Sequence, residues 1–175
     1  MKHANLILAG FMGTGKTATG RRAAARLGRE FVDMDAVIGE RAGCSIPEIF
    51  DREGEAHFRK LERALASELA GRQDLVIAAG GGVVLNPANL RDFERTGVVI
   101  CLTAAPETIL QRVSGRSHRP LLEGDEKARR IQELLEKRRP LYAAIARQVD
   151  TTDRRLDEVV ELVLALFAAA PAPAP

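Results

Sequence analysis

Aromatic residues and cysteine are scarce in this chain of 175 residues. Tryptophan is absent, tyrosine occurs once and aromatic residues make up 4% of the sequence, so aliphatic side chains must fill the core. The two cysteines, Cys44 and Cys101, lie far apart and form no C-x-x-C pair. This pattern argues against a disulfide framework, and we expect two free thiols in a reducing compartment.

The chain also lacks an excess of charge and a long apolar segment. Lys and Arg total 26 against 24 Asp and Glu, a net charge of +2, which argues against partners such as nucleic acid or a membrane surface. The N-terminal apolar run is too short to span a membrane and has no cleavage-site pattern. We therefore expect a cytoplasmic, monomeric protein that acts on small molecules.

Short apolar runs alternate with longer helical patterns along the chain. The continuous runs predict parallel strands buried on both faces, and the segments between them are long enough for helical crossovers. The predicted strands are residues 5–9, 30–33, 75–79, 98–102 and 148–150. This alternation predicts an α/β fold in which helices cover both faces of a parallel sheet.

We predict one domain over residues 1–167, followed by a disordered Ala/Pro tail over residues 168–175. Residues 34–62 hold more helix than a crossover needs and are predicted to form a substrate-binding lobe. Within them, Ser45 and Glu48 fit a capping box, so a helix should begin directly after Ser45. Residues 113–125 are polar, carry Pro and Gly and are predicted to form a lid.

The most specific motif is G-x-x-x-x-G-K-T, which runs from Gly10 to Thr17. It follows the first predicted strand and opens the first predicted helix, as a phosphate-binding loop requires. In such a loop, Lys16 reaches the β- and γ-phosphates of ATP and the Thr17 hydroxyl binds Mg²⁺. The alternative is a mere tight turn. The residues expected to bind ATP here are Gly13, Thr14, Gly15, Lys16, Thr17 and Ala18.

Two further groups of residues follow predicted strands. Asp33 and Asp35 follow the second strand, and residues two apart in an extended segment project to the same side. Both carboxylates are therefore predicted to face the crevice at the sheet's C-terminal edge, unless Asp35 only caps the next helix. Gly80, Gly81 and Gly82 follow the third strand and predict a close approach of the backbone to a substrate, or simply a flexible turn.

Together these motifs resemble those of shikimate kinases along nearly the whole chain, from Leu6 to about Phe167. The resemblance rests on GFMGTGKT, FVDMDAVIGERAGCSIPEIFDREGEAHFRKLE, AAGGGVV, RPLL and the R-x-P-L-Y run from Arg138 to Tyr142. It implies a three-layer P-loop kinase fold with a five-stranded parallel sheet. It also implies transfer of the γ-phosphate of ATP to the 3-hydroxyl of shikimate, a step of aromatic amino-acid biosynthesis.

The resemblance assigns catalytic roles as well. Asp33 matches the family's Mg²⁺-associated aspartate, and Asp35 matches the carboxylate that binds and activates the substrate hydroxyl. Gly81 matches a glycine that contacts the substrate. Phosphoryl transfer needs positioning and charge neutralisation more than covalent help, and Lys16, Mg²⁺ and Arg119 are expected to supply it.

Two arginines match the pair that clasps the substrate carboxylate in this family, Arg59 and Arg138. Arginine presents a planar fork that pairs bidentately with a carboxylate, and hydrogen bonds to charged groups contribute about 1.5–3 kcal/mol each. Glu62 lies one helical turn after Arg59. It is predicted to hold the guanidinium in position or to form a plain surface ion pair.

Other arginines match positions around ATP. Arg119, in RPLL, matches the lid arginine that reaches the phosphates, and Arg112 matches the arginine near the adenine ring. Arg116 is an alternative to Arg119, because VSGRSHRPLL departs from typical lids of the family. Near the last strand, VDTTDRR is shifted by one residue relative to the family's pattern, so the second adenine-side arginine is Arg154 or Arg155.

Two other functions remain open at the level of sequence. One is a related small-molecule kinase that acts on gluconate or a nucleotide. The other is a nucleotide-binding module without transfer activity, against which the presence of Asp35, Arg59 and Arg138 argues.

Overall fold

The computed structural model describes residues 3–114 and 124–171. In this part of the chain, five strands form one sheet in the order β2-β3-β1-β4-β5, and every neighbouring pair is parallel. The strands are β1 (Asn5–Gly10), β2 (Glu30–Asp33), β3 (Leu75–Ala78), β4 (Gly97–Thr103) and β5 (Gln148–Asp150). The predicted five-stranded parallel sheet is confirmed, with strand ends that differ by one residue at most.

Helices connect the strands on both faces of the sheet. They are α1 (Lys16–Leu27), α2 (Met34–Ala42), α3 (Ile46–Ala70), α4 (Pro87–Thr96), α5 (Pro106–Ser114), α6 (Gly124–Ala143) and α7 (Leu156–Ala169). A short 3₁₀ turn (Val83–Leu85) follows the glycine triplet. No helix among the described residues is both long enough and apolar enough to cross a membrane.

Strand β1 lies in the middle of the sheet and is buried on both faces. Leu6 and Leu8 pack on the side covered by α1 and α7. Ile7 and Ala9 pack on the opposite side, in the cluster that includes residues of α2 to α6. Full burial of an aliphatic side chain such as Leu contributes about 1.5–3 kcal/mol. Alternating side chains of one strand therefore hold the three layers together.

The register of the strands brings the predicted site residues to one edge of the sheet. Gly10, at the end of β1, pairs with Leu102, and Asp33, at the end of β2, pairs with Ala78. At Gly10 a side chain is impossible, because a Cβ atom would lie 2.3 Å from the carbonyl oxygen of Leu102. The phosphate-binding loop therefore leaves β1 in contact with β4.

The predicted start of α3 is confirmed. The Ser45 hydroxyl accepts a hydrogen bond from the backbone N–H of Glu48, and the Glu48 carboxylate accepts one from the backbone N–H of Ser45. Gly54 interrupts the helix with φ 80° and ψ 171°. The segment before Gly54, together with α2, makes up most of the predicted lobe, and the chain after the kink carries Arg59.

Two predictions from the sequence need correction. The second strand ends at Asp33 and α2 begins at Met34, so Asp35 is helical and the extended geometry assumed for the two aspartates is wrong. Disorder predicted from residue 168 is wrong for the first residues of that range, because α7 continues to Ala169 and Ala170 is buried against its hydrophobic cluster. Alanine is the best helix former, so the poly-alanine stretch extends the helix.

Residues 115–123 and 172–175 lie outside the described residues. The first range holds most of the predicted lid, including Arg116 and Arg119. The second holds the end of the predicted tail.

The kink at Gly54 yields a test of stability. A Cβ atom at Gly54 or at Gly28 would meet nothing within 4 Å, so only the backbone geometry opposes a side chain at either position. Gly28 is left-handed (φ 64°, ψ 36°), a conformation that asparagine tolerates. Gly54 has a conformation that is essentially restricted to glycine.

We expect Gly54→Ala and Gly54→Asn each to lower the free energy of unfolding by about 1–3 kcal/mol. Gly28→Asn is the matched control and should cost only a few tenths of a kcal/mol, because asparagine replaces glycine readily at helix C-termini. Urea unfolding of the variants measures the difference. A Gly54→Asn protein as stable as the wild type would contradict the strain assigned to the kink.

Candidate active site

A cavity of about 830 Å³ opens at the C-terminal edge of the sheet. Its walls combine the phosphate-binding loop, the two aspartates, one glycine of the triplet and two of the predicted adenine-side arginines. The lining includes Gly13, Thr14, Gly15, Lys16, Thr17, Ala18, Asp33, Asp35, Gly81, Arg112 and Arg154. Three separate sequence motifs therefore meet at one site.

The phosphate-binding loop is shaped by glycines and by its own lysine. Gly13 and Gly15 have φ values of 79° and 92°, and α1 begins directly after Gly15. The Lys16 ammonium donates hydrogen bonds to the carbonyl oxygens of Gly10 and Phe11 at 2.8 and 2.9 Å. The positive N-terminal end of α1 and the Lys16 charge both favour an anion here.

Burial of the Lys16 ammonium lowers the pKa of Lys16 to about 8, although the negative charges of Asp35 and Asp33 oppose the shift. The negative charges around the ammonium therefore do not compensate for its loss of solvation by water, and Lys16 holds its proton less strongly than usual. An anion bound in the loop would supply the missing negative charge.

Asp33 is fixed by contacts from two elements. The Thr17 hydroxyl donates to one carboxylate oxygen at 2.7 Å. The other oxygen accepts from the backbone N–H groups of Asp35 and Ala36 at 3.1 and 3.4 Å and caps α2. The alternative in which Asp35 caps this helix is therefore wrong. Asp35 is left free to face the cavity.

The Thr17 and Asp33 oxygens form a donor set that fits Mg²⁺, which prefers hard oxygen ligands and keeps several waters or phosphate oxygens. Among residues 3–114 and 124–171, no cluster of three or more His, Cys, Asp or Glu side chains is placed to hold a metal. A single carboxylate and a hydroxyl would therefore hold the ion jointly with a phosphate ligand rather than in a protein cage.

Asp35 and Glu62 approach each other across Gly80. A Cβ atom on Gly80 would lie 2.8 Å from an oxygen of each carboxylate. Burial raises the pKa of Asp35, and the nearby Lys16 charge opposes that rise. Burial also raises the pKa of Glu62, against the charge of Arg59. The space between the two carboxylates at Gly80 is thus too small for a side chain.

Arg59 is held in a fork of two carboxylates on its own helix. Its guanidinium contacts Glu55 at 2.9 Å and Glu62 at 2.9 Å. The Glu62 side chain is only 2% exposed, so the predicted contact is confirmed and is not a surface ion pair. Gly82 lies flat against the guanidinium, since a Cβ atom there would be 2.0 Å from a nitrogen of Arg59.

Arg138 reaches the same region from α6. Its positive charge opposes the rise in the pKa of Glu62 and also lowers the pKa of Tyr142, one helical turn later. The Tyr142 hydroxyl in turn donates to the carbonyl oxygen of Gly81. The structure therefore brings Arg59, Arg138 and the glycine triplet together, as the sequence predicts. The contact made by Tyr142 was not predicted, because no local pattern indicates a partner 61 residues away.

Arg112 is anchored on the other side of the cavity. It donates to the hydroxyl and carbonyl oxygens of Thr151 at 2.9 and 2.8 Å and to the carbonyl of Gly13 at 3.3 Å. Thr151 is a site residue that the sequence analysis missed. Of the two candidates near the last strand, Arg154 lines the cavity, while Arg155 precedes α7 and donates its backbone N–H to Glu158.

Comparison with known sequences gives one consistent family. The family model described as shikimate kinase matches residues 12–167 of the chain. A shikimate kinase from Caldanaerobacter subterraneus subsp. tengcongensis is 44% identical over 163 residues, which are 93% of this chain and 95% of that protein. One from Pelotomaculum thermopropionicum is 47% identical over 160 residues, which are 91% and 93% of the two proteins.

Comparison with solved structures agrees. A shikimate kinase from Acinetobacter baumannii in complex with shikimate is 36% identical, has a TM-score of 0.86, and the match covers 95% of this chain and 93% of that one. A gluconokinase from Sinorhizobium meliloti has a TM-score of 0.61 at 18% identity, with 94% and 91% of the two chains covered. At this low identity, the likeness to the gluconokinase is one of fold alone.

The environment of Lys16 predicts a pH dependence of stability. Lys16 has a pKa of about 8 in the folded protein and an ordinary value of 10.5. Between these values the unfolded chain holds a proton that the folded protein lacks, so stability should rise with pH in this window. The slope from one such group cannot exceed about 1.4 kcal/mol per pH unit.

Lys16→Met should remove this contribution. We expect the free energy of unfolding of the wild type, measured relative to Lys16→Met, to increase from pH 8 toward pH 10.5. Urea unfolding of both proteins at a series of pH values measures the difference. A difference that stays constant or falls over this range would contradict the burial of a charged ammonium.

Proposed function

The chain belongs to the shikimate kinase family, and we propose that it transfers the γ-phosphate of ATP to the 3-hydroxyl of shikimate, giving shikimate 3-phosphate and ADP. The observation that carries the proposal is a single cavity whose wall includes both the phosphate-binding loop and Asp35. Gly81 belongs to the same wall, and the next residue, Gly82, lies against the guanidinium of Arg59. A donor and an acceptor would therefore meet at one place.

For the donor, residues 13–18 would hold the phosphates of ATP, with Lys16 on the terminal groups. Arg112 and Arg154 line the far part of the cavity and would contact the adenine end. Arg119 is proposed as the lid arginine on the resemblance alone, with Arg116 as its alternative. Water would be excluded when such a lid closes, which suppresses hydrolysis of ATP.

Thr17 and Asp33 would hold Mg²⁺, since their oxygens lie within one hydrogen bond of each other. When bound, the ion would offset the negative charge of the β- and γ-phosphates. Asp33 is already oriented by two backbone N–H groups of α2. The protein would thus need little rearrangement to offer this carboxylate.

For the acceptor, Asp35 would orient the shikimate hydroxyl and accept its proton. Its raised pKa, caused by burial, makes it a stronger base than an exposed aspartate. Arg59 and Arg138 would pair with the shikimate carboxylate, and Gly80, Gly81 and Gly82 would allow the ring to lie close to the backbone. Arg59 keeps its place through Glu55 and Glu62.

We also propose a monomeric enzyme, and a cytoplasmic one because both cysteines are free thiols and ATP is the expected donor. Within residues 1–167 we propose a single domain with a substrate-binding lobe over residues 34–62 and a lid over residues 113–125. A gluconate kinase is the nearest alternative, and its support is limited to a likeness of fold.

A product assay tests the proposed function directly. We expect ADP release and phosphorylated shikimate when the protein is given ATP, Mg²⁺ and shikimate. Gluconate and nucleoside monophosphates serve as matched acceptors and should give little turnover, and chelation of Mg²⁺ should abolish it. Turnover with gluconate but not with shikimate would overturn the assignment, and nucleotide binding without any product would indicate a non-catalytic module.

Substitution of the two arginines tests the acceptor side. We expect Arg59→Ala and Arg138→Ala each to raise the KM for shikimate by about 10- to 150-fold, the equivalent of about 1.5–3 kcal/mol, while the KM for ATP changes little. The reason is that each loses a charged hydrogen bond to the carboxylate. Steady-state kinetics with each substrate varied in turn measures the split.

Arg63→Ala is the matched control on the same helix. Arg63 contacts Asp92 at 2.6 Å rather than Glu62 or the glycine triplet, so its removal should leave both KM values near those of the wild type. A variant of Arg59 or Arg138 in which ATP binding alone is lost would contradict the proposed carboxylate clamp.

A further inference from the structure

Tyr142 ends the R-x-P-L-Y run, and the proposed function gives it no role. It is buried, with 5% of its surface exposed. Its hydroxyl donates a hydrogen bond to the carbonyl oxygen of Gly81, and its ring meets the Phe11 ring edge to face, with centroids 6.4 Å apart. The charge of Arg138, one helical turn earlier on α6, acts on its hydroxyl. One side chain thus lies beside Gly81, the phosphate-binding loop and Arg138.

The contact with Gly81 determines the direction of a peptide group. No peptide bond in the described chain is cis, and in a trans peptide the carbonyl and the following N–H point in opposite directions. When the Gly81 carbonyl points at Tyr142, the N–H of Gly82 points away from α6. The turn around this peptide is closed by hydrogen bonds from Val83 to the Gly80 carbonyl and from Leu85 to the Gly82 carbonyl. Glycine residues have little conformational preference of their own, so the Tyr142 hydroxyl adds a restraint from outside the turn.

The backbone of Tyr142 is itself well anchored. The side chain of Gln148, at the start of β5, donates to the carbonyl oxygens of Ala143, the last residue of α6, and of Ile145, two residues later, both at 3.2 Å. The end of α6 is therefore tied to the sheet. Burial raises the pKa of Tyr142 to about 12, so the hydroxyl remains a donor at all working pH values.

We propose that Tyr142 is a positioning residue for the acceptor: its hydroxyl fixes the Gly81–Gly82 peptide and aligns it with Arg138. This inference rests on the proposed function, because it assumes that the acceptor lies against the glycine triplet. The residue acts through Gly81 and Arg138 and does not touch the reacting atoms. Its loss should therefore affect binding of the acceptor selectively.

Tyr142→Phe removes the hydroxyl and leaves the ring on Phe11. We expect the KM for shikimate to rise about three- to tenfold, the range that loss of one neutral hydrogen bond gives. The KM for ATP should stay within about twofold, because the phosphate-binding loop keeps its ring contact. Steady-state kinetics with each substrate varied in turn separates the two effects.

Asn5→Ala is the matched control for lost stability. Asn5 is fully buried at the opposite end of the sheet, where its side chain bonds to the backbone of Arg72 and Leu75 at 2.8 and 2.9 Å. The Asn5→Ala variant should have a lower free energy of unfolding, with an unchanged ratio of the KM for shikimate to the KM for ATP. A shikimate KM in Tyr142→Phe within about twofold of the wild type, or parallel rises in both KM values, would overturn the inference.

A spectroscopic readout keeps the test decisive if Tyr142→Phe does not fold. The chain contains one tyrosine and no tryptophan, so its tyrosine fluorescence reports Tyr142 alone. We expect this fluorescence to change in the wild type when shikimate is added without nucleotide, and an unchanged signal at saturating shikimate would overturn the inference. If the wild type forms no phosphorylated shikimate, the proposed function itself fails. Failure of the inference differs from this, because it shows only in the KM values of the variant relative to those of an active wild type.

Discussion

Two carboxylates, Asp35 on the cavity wall and the buried Glu62, lie on either side of Gly80, and the rest of the site is arranged to make this possible. Like charges in a low-dielectric setting raise each other's pKa and are costly to bury without partners. Lys16 offsets Asp35 from one side, and Arg59 offsets Glu62 from the other. One oxygen of Glu62 still has no hydrogen-bond partner within the described residues. The site therefore holds one buried carboxylate that is incompletely paired.

The fold provides this arrangement through the order of its strands. Because β1 lies between β3 and β4, the phosphate-binding loop at its end is adjacent to the glycine triplet after β3. Strand β2, on the far side of β3, delivers Asp33 and then Asp35 to the same edge. The long helix α3 returns beneath them and carries Arg59 and Glu62. Residues from distant parts of the chain thus converge without a long loop, which favours a rigid acceptor wall.

Much of this arrangement could be predicted from sequence, because parallel strands end at one edge and the phosphate-binding loop has a local signature. The relation of Asp33 to Asp35 could not, since the choice between strand and helix at Met34 depends on capping by Asp33 itself. Thr151 and Tyr142 were missed for another reason. Their functions depend on contacts with Arg112 and Gly81, which are far away in sequence and leave no periodic pattern.

Two side chains, Lys16 and Tyr142, connect the ATP-binding part of the site with the part proposed to bind the acceptor. Lys16 belongs to the phosphate-binding loop, yet its charge acts on Asp35. Tyr142 belongs to α6, yet it contacts both Gly81 and Phe11, the residue whose carbonyl receives the Lys16 ammonium. Because packed contacts of this kind restrict both parts of the site, the position of the loop is fixed relative to Gly81. The geometry thus holds the donor loop and the acceptor wall in one arrangement.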